Sequence, residues 1–409
     1  MSPRTSGQIN GKQPTAGRGG RIVFVDIGRG IGALLVVYSH ITVLWGTWEH
    51  HISLPILNMI DSVTRYPLGL TEQGIGQIAV PFFFLVSGFV VTPIALHDGH
   101  TRFFIKRVTR VYPTMAVAVG IAALMFVLGQ HPLHNSGLPV VNMSTVLANI
   151  AMTNYFTVPQ NVMVLAAWTL VVEVLYYLLL LLIMPLLRRV TWYAICVELT
   201  VVALIVIMNR AFGPNFFLFA VSVSFLPIIL IGQIIWAAHA RRIPVWAAVV
   251  FTVLAWAIFV TADMLHMGRI NDSYDLALGY ALLLFCAGLL AEPKLRTLRW
   301  AAYLSERSYS IYLLHGVILF PFLDQLSRFM PVLVALPVGL LATLAVVEVT
   351  YRLVEHPSHR LGSLLARKIP RRRPHVVETP VVPVIEVPVP SDNEQTVSIA
   401  AVESFPRAG

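Results

Sequence analysis

The sequence predicts an all-α, polytopic membrane protein with about ten transmembrane helices. Of its 409 residues, 57% are hydrophobic and only 12% are charged, which is about half the charge of a soluble domain. The mean hydropathy is +0.75. Apolar segments near the bilayer-spanning length of roughly 20 residues recur along the chain. Basic residues, in turn, collect on alternate connections between those segments.

Ten apolar segments, bounded by charges or by Gly, Pro and Asn clusters, reach or approach the spanning length. The fifth, eighth and ninth are short. The predicted helices lie at 24–46, 78–96, 112–129, 164–186, 191–208, 215–237, 245–264, 274–290, 308–323 and 331–354.

The distribution of Lys and Arg predicts the orientation of these helices. Every even-numbered connection and both termini are basic, whereas each odd-numbered connection has at most one basic residue. Because cytosolic segments of membrane proteins are enriched in Lys and Arg, both termini are predicted to be cytosolic. The polar N-terminus lacks the pattern of a cleaved signal peptide, so we expect the first helix to be an uncleaved signal anchor.

Three regions follow from this map. Residues 1–20 form a predicted disordered cytosolic N-terminus, 21–360 the transmembrane domain, and 361–409 a cytosolic, basic, Pro/Val-rich tail that is predicted to be disordered. The tail's proline density disfavours helix and sheet. Two long outer connections, 47–77 and 130–163, have the length of lids or binding loops.

Composition excludes several function classes. The two cysteines lie inside apolar runs and cannot form a disulfide framework, and no Cys/His spacing typical of a metal site occurs. The net charge of +9 is explained by basic residues on the cytosolic side of a membrane protein, and nucleic-acid binding is not expected.

The first helix carries two ionisable residues, Arg29 and His40. Ionisable groups at membrane depth cost about 2.5–3.5 kcal/mol and therefore call for a function. The eleven-residue spacing is close to three helical turns, so both side chains share one face, about 16 Å apart along the axis. Gly28 and Gly32 let another helix approach closely. The alternatives are a snorkelling arginine and a packed histidine.

The second and fourth helices add polar residues. Glu173 is predicted at the depth of His40, where a carboxylate could orient the imidazole as in a catalytic triad. A structural hydrogen bond between Glu173 and Tyr177 is the alternative. Ser87, followed by Gly88, lies at mid-depth in the second helix, where a simple packing notch is the alternative.

Further polar residues lie on the later helices and the second connection. Ser308, Tyr312 and His315 share a face by their spacing, and Glu348 with Arg352 predicts an ion pair. Arginines between the second and third helices could bind a polyanion from the cytosol, since guanidinium binds phosphate through two nitrogens. Topology alone is the competing explanation.

Together these segments resemble the acyltransferase-3 family of integral membrane O-acyltransferases, in the stand-alone form without an SGNH domain. The likeness covers residues 21–360, and six motifs occur in the family's order. The matching residues are Asp26, Arg29, Gly30 and His40; Phe83, Phe84, Ser87, Gly88 and Phe89; Arg107, Arg110 and Pro113; Trp168, Thr169, Leu170 and Glu173; Ser308, Tyr309, Ile311, Tyr312, Leu313 and His315; and Glu355 and Pro357.

The resemblance implies a multi-pass enzyme of the bacterial inner (plasma) membrane that transfers acyl groups other than aminoacyl groups. Acyl-CoA, with acetyl-CoA among the candidates, would be the cytosolic donor. The acceptor would be a hydroxyl of a cell-envelope glycan or glycolipid on the outer side. No tightly bound cofactor or metal, and no nucleic acid, is expected.

The resemblance also implies residue roles. His40, as base or acyl carrier, would be catalytic together with Glu173 and Arg29. Donor phosphates would bind Arg29, Arg107 and Arg110. Site support would come from Asp26, Ser87, Trp168, Tyr177 and His315.

A transporter or flippase of a lipid or small molecule, without covalent chemistry, is the alternative function. Intramembrane charges and about ten helices fit that class as well. The two halves show no evident repeat, and the Arg29/His40 pair suits a reaction better than an ion path. A structural scaffold leaves the buried ionisable residues unexplained.

Overall fold

The structure is a computed structural model and describes residues 22–50, 54–70, 73–130, 140–267 and 274–370. These residues form an all-α protein, as predicted. The N-terminus before residue 22 and the tail from 371 onward lie outside the described residues. The described helices are α1 Val23–Thr47, α2 Pro55–Thr64, α3 Gly74–Asp98, α4 His100–Val127, α5 Met143–Ala151, α6 Leu165–Arg189, α7 Thr191–Ile207, α8 Pro214–His239, α9 Val245–Met264, α10 Tyr274–Lys294, α11 Arg299–Leu326 and α12 Val332–Lys368.

Ten of these helices correspond to the ten predicted segments. Nine of the ten, within the described part of the chain, are long and apolar enough to cross a membrane, and α7 is shorter. Helix α7 nevertheless packs antiparallel to α8, because Thr191 lies near Arg242 while Glu198 bonds to Gln233.

Three predicted helix bounds were wrong. Helix α4 begins at His100 rather than 112 and α11 at Arg299 rather than 308, so the basic stretches predicted as connections are helical. Lys and Arg favour helix, and Pro113 is accommodated inside α4. Helix α12 ends at Lys368, so the first residues of the predicted tail are helical as well.

Helices α1 and α11 pack parallel to each other in the centre of the bundle. Ser305 Oγ donates to Asp26 (2.8 Å), Arg29 bonds to Ser308, and His40 contacts His315. Both residue numbers rise along this series, which shows the parallel direction.

Glycines bring α1 and α3 together, as the small-residue step predicted. A Cβ on Gly28 would lie 2.2 Å from the Phe82 ring, and one on Gly32 would lie 2.9 Å from the Phe83 ring. At either distance the facing phenylalanine ring would have to shift, so glycine at these positions favours the close approach of the two helices.

The N-terminus of α1 is capped from another helix. The Glu292 carboxylate accepts hydrogen bonds from the backbone N–H groups of Val23 and Phe24, each at 2.8 Å. These N–H groups have no partner within the helix itself. The carboxylate therefore ties the start of α1 to the end of α10 and fixes the height of Arg29 and His40 in the bundle.

Candidate active site

A cavity of about 160 Å³ lies between α1, α3, α4, α6 and α11. Its walls are apolar on the α3 side and polar on the opposite side. Five residues singled out from the sequence meet here, although they come from four different helices. They are Arg29, Ser87, Arg107, Arg110 and Glu173.

Arg29 lies on the α1 wall of this cavity. Its Nη2 donates to Ser308 Oγ at 2.9 Å, and Ser308 Oγ in turn donates to the Ser305 carbonyl. The guanidinium is therefore fixed by a side chain of α11 and does not snorkel to the end of its helix. Asp26, one turn earlier, accepts from Ser305 and does not line the cavity.

Arg107 and Arg110 reach the cavity from the first part of α4, which begins earlier in the chain than predicted. The Arg107 guanidinium stacks between the rings of Phe103 and Tyr177, 5.2 Å from each ring centroid. Its Nε is buried and has no hydrogen-bond partner among the described residues. A buried donor of this kind is typical of a site for a negatively charged ligand.

Glu173 faces the arginines and not the histidine. Its Oε1 accepts from Ser87 Oγ at 2.9 Å and from Tyr177 Oη at 2.5 Å. The alternative hydrogen bond to Tyr177 is thus present, and the expected pairing of Glu173 with His40 is absent from the described contacts. Glu173 was predicted at the depth of His40, but it lines the cavity that contains Arg29, because the pattern of one helix does not determine the rotation or height of α6 relative to α1.

His40 pairs instead with His315. His40 Nδ1 lies 2.8 Å from His315 Nε2, and the ring centroids are 4.9 Å apart. Both line a second, smaller cavity of about 40 Å³, whose wall includes residues 162–166, at the start of α6 and directly before it. His40 is partly buried, and His315 is only 1% exposed.

The helix geometry changes at His40. Residues from Val23 to Ser39 are α-helical, and π-helical turns begin at His40. Such turns are frequent at functional sites. Because the stretch from Arg29 to His40 is regular, the axial separation of about 16 Å still applies. The two cavities therefore lie at different depths along one face of α1.

Two other expected residues have different roles. Trp168 packs against Phe84 and Phe225, with ring centroids 6.3 and 4.9 Å apart, and does not line either cavity. Its neighbour Thr169 lines the first cavity and donates to Tyr312 Oη at 2.9 Å. Ser87 donates a hydrogen bond to Glu173, and the next residue, Gly88, forms the packing notch against α8.

Four polar cavity residues were absent from the expected site: Thr169, Ser308, Tyr309 and Tyr312. The shared face of Ser308, Tyr312 and His315 was the available signal. Glu355 was also missed as a site neighbour; it accepts from Ser310 at 2.5 Å. In the described part of the chain, no group of His, Cys, Asp and Glu is arranged to hold a metal ion.

The fold and the two cavities define a polytopic membrane protein with an arginine-lined pocket beside a buried histidine pair. Residues 22–352 match the family described as Acyltransferase domain, and the chain belongs to this family. The resemblance inferred from the motifs is thereby confirmed.

Curated relatives include the O-acetyltransferase OatA of Staphylococcus aureus strains COL and MRSA252. Each is 21% identical to this chain, and the match covers 76% of this chain and 57% of the relative. The chain thus spans little more than half the length of these relatives. No solved structure matches the chain significantly.

Proposed function

We propose that this protein moves an acyl group from cytosolic acyl-CoA to a hydroxyl of a cell-envelope glycan or glycolipid on the outer side of the bacterial plasma membrane. The observation that carries the proposal is the first cavity. It gathers Arg29, Arg107 and Arg110 around one space, in a chain of the acyltransferase family.

The arginines suit the donor's phosphates. Guanidinium groups bind phosphate oxygens through two nitrogens, which lysine cannot do. Arg107 is pre-positioned by two aromatic rings, and its unpartnered Nε has no competing bond to give up. The basic ends of alternate helices support a cytosolic entry for the donor.

The axial separation between Arg29 and His40 on α1 suits a donor molecule that binds in an extended conformation. With the phosphates held near Arg29, the pantetheine arm would follow the α1 face for about 16 Å. The thioester would then reach His40. Thr169 and Tyr312, which bond to each other, lie on the wall along this path.

At His40 two routes fit the chemistry. As a base, the imidazole takes the proton of the acceptor hydroxyl while the oxygen bonds to the thioester carbon. The C–S bond breaks, and the thiolate takes that proton. As a carrier, the imidazole itself bonds to the carbonyl carbon, and the C–S bond breaks to release the thiolate. The hydroxyl then attacks the acyl-histidine, the C–N bond breaks to restore the neutral imidazole, and the hydroxyl proton passes to the thiolate. The name of the relatives, O-acetyltransferase, supports an oxygen acceptor and an acetyl group.

Purified protein in bilayer vesicles with radiolabelled acetyl-CoA tests the proposal. We expect free thiol release and label in the glycan or lipid fraction of added envelope membranes. His40→Gln and Arg29→Gln should each abolish transfer without loss of folding, and Arg189→Gln, on an exposed residue outside both cavities, should retain it. Movement of an envelope lipid without thiol release would favour the flippase alternative and contradict acyl transfer.

A further inference from the structure

The contacts of the histidine pair fix the position of its hydrogens. We infer that His315 is a positioning residue, which holds His40 in the tautomer whose Nε2 bears the lone pair. The inference deepens the proposed function and rests on it for its catalytic meaning. The tautomer itself follows from the hydrogen bonds.

The assignment begins at a backbone carbonyl. His315 Nδ1 lies 3.1 Å from the Ile311 carbonyl oxygen. A carbonyl oxygen only accepts, so His315 Nδ1 must carry the hydrogen. A neutral imidazole has one N–H, and the other ring nitrogen of His315, Nε2, is therefore an acceptor.

The hydrogen of His40 follows from the same argument. His315 Nε2 lies 2.8 Å from His40 Nδ1, so His40 Nδ1 is the donor in this bond. The second nitrogen of His40, Nε2, then bears the lone pair. It is the ring nitrogen left for a substrate in the smaller cavity, which His40 lines.

A doubly protonated His315 would reverse this assignment, and its surroundings oppose that form. The side chain is 1% exposed, and its described contacts are His40, the Ile311 carbonyl and the rings of Tyr312 and Phe320. None of these is a carboxylate. A buried charge without such a partner is costly.

The tautomer serves both routes of acyl transfer. In the base route His40 Nε2 takes the hydroxyl proton and later gives it to the departing thiolate. In the carrier route the Nε2 lone pair forms the N–C bond. In both cases the positive charge that forms on His40 is stabilised by His315 Nε2, which accepts the Nδ1–H bond as the carboxylate does in a triad. A neutral partner adds no permanent charge at membrane depth.

Helix α11 thus orients both functional residues of α1. Ser308 holds Arg29 and, seven residues further along the same helix, His315 holds His40. Because α1 and α11 run parallel, one pair of helices sets both the donor-binding and the reacting group.

Nitrogen NMR of the full-length protein, labelled with ¹⁵N-histidine in detergent micelles, reads the tautomer directly. The His40 signals are assigned by their loss in His40→Gln. We expect protonated Nδ1 and unprotonated Nε2 in the wild type and in His315→Gln, whose side-chain oxygen can accept from Nδ1–H. In His315→Met the Nε2-protonated form should appear. An Nε2-protonated His40 in the wild type, or an unchanged spectrum in His315→Met, would overturn the inference.

Steady-state kinetics of the same variants test the positioning role. His315→Met should lower kcat about 10- to 100-fold, the usual loss when the partner of a functional histidine is removed, with little change in KM for the donor. His315→Gln should recover most of this loss. Equal losses in both variants would contradict positioning. A wild type that transfers no acyl group would refute the proposed function, while the tautomer is still decided by the NMR spectrum.

Discussion

At the scale of single residues, the charged groups and the histidine pair lie in separate cavities. The arginines and Glu173 share one cavity, and the histidines line another. Two of the three arginines are held by groups that carry no charge: Arg29 by a hydroxyl and Arg107 by two rings. Three arginines and one glutamate line this cavity, so positive charge exceeds negative charge there and suits an anionic ligand.

Replacing Arg107 tests the donor-binding role. Arg107→Gln removes a charge-assisted hydrogen bond, a loss of about 1.5–3 kcal/mol. We therefore expect kcat/KM for acyl-CoA to fall roughly 10- to 150-fold. Arg107→Lys keeps the charge but not the planar guanidinium group. Its kcat/KM should therefore lie between those of the wild type and Arg107→Gln. Acyl-CoA titrations with each variant measure the effect, and Arg189→Gln is the matched control. An unchanged KM and kcat in Arg107→Gln would remove Arg107 from the donor site.

Glu173 allows a sharper distinction. In Glu173→Gln the amide oxygen can still accept from Ser87 and Tyr177, but the negative charge beside Arg29 and Arg110 is lost. An anionic donor should then bind about fivefold more tightly, equivalent to about 1 kcal/mol. If Glu173 oriented His40 instead, kcat would collapse as it does in His40→Gln. Separate measurement of KM and kcat decides between these two roles.

At the scale of helices, close backbone contact positions the site. A Cβ on Gly88 would lie 1.9 Å from the Ile229 carbonyl oxygen, and one on Gly232 would lie 2.1 Å from the Leu85 carbonyl oxygen. Backbone atoms cannot move aside as a flexible side chain can. Helices α3 and α8 are therefore held at a separation that only glycine allows, and this contact fixes Ser87 next to Glu173.

Gly88→Ala should therefore destabilise the protein. Overpacking of a well-packed interior costs about 1–3 kcal/mol, and the apparent melting temperature in detergent should fall. Gly120→Ala is the matched control, because a Cβ there meets nothing within 4 Å and alanine favours helix over glycine. Thermal unfolding followed by tryptophan fluorescence compares the two. Equal melting temperatures for both variants would contradict the close approach of α3 and α8.

The positions of the helices and the residues that share a helix face could be predicted from the sequence. The rotation of each helix about its axis, and the residues that it contacts on other helices, could not. The apolar segments and the Arg29/His40 spacing depend only on local periodicity. The pairing of His40 with His315 depends on how α11 turns against α1, 275 residues further along the chain. The cap supplied by Glu292 is equally distant from Val23. Such contacts are set by tertiary packing, which one helix's pattern does not contain.

At the scale of the whole molecule, the direction of α1 and α11 constrains the topology. Parallel packing of two helices requires an odd number of crossings between them. Seven membrane-spanning helices lie between α1 and α11 if α7 is counted as one of them, and six lie between them if it is not. The parallel contacts Asp26–Ser305, Arg29–Ser308 and His40–His315 thus require that α7 crosses.

The short length of α7 makes this requirement worth testing. Its 17 residues span about 26 Å at 1.5 Å per residue, against a hydrocarbon core of about 30 Å. A mismatch of this size is met by local thinning of the bilayer at modest cost. Inside the helix, Glu198 is fully buried, so its carboxyl group lies within the protein rather than against lipid. Its Oε2 accepts from Gln233 of α8, while its Oε1 has no hydrogen-bond partner among the described residues.

Cysteine labelling in intact cells tests the crossing. In a background with Cys196 and Cys286 changed to Ser, single cysteines replace Arg189, Arg210 or Arg241. With ten crossings and a cytosolic N-terminus, a membrane-impermeant maleimide added outside should label position 210 alone, and the other two only after permeabilisation. Equal labelling of positions 189 and 210 would mean that α7 does not cross. The parallel packing of α1 and α11, and with it the pairing of His40 and His315, would then be wrong as well, because the two histidines would lie on helices of opposite direction.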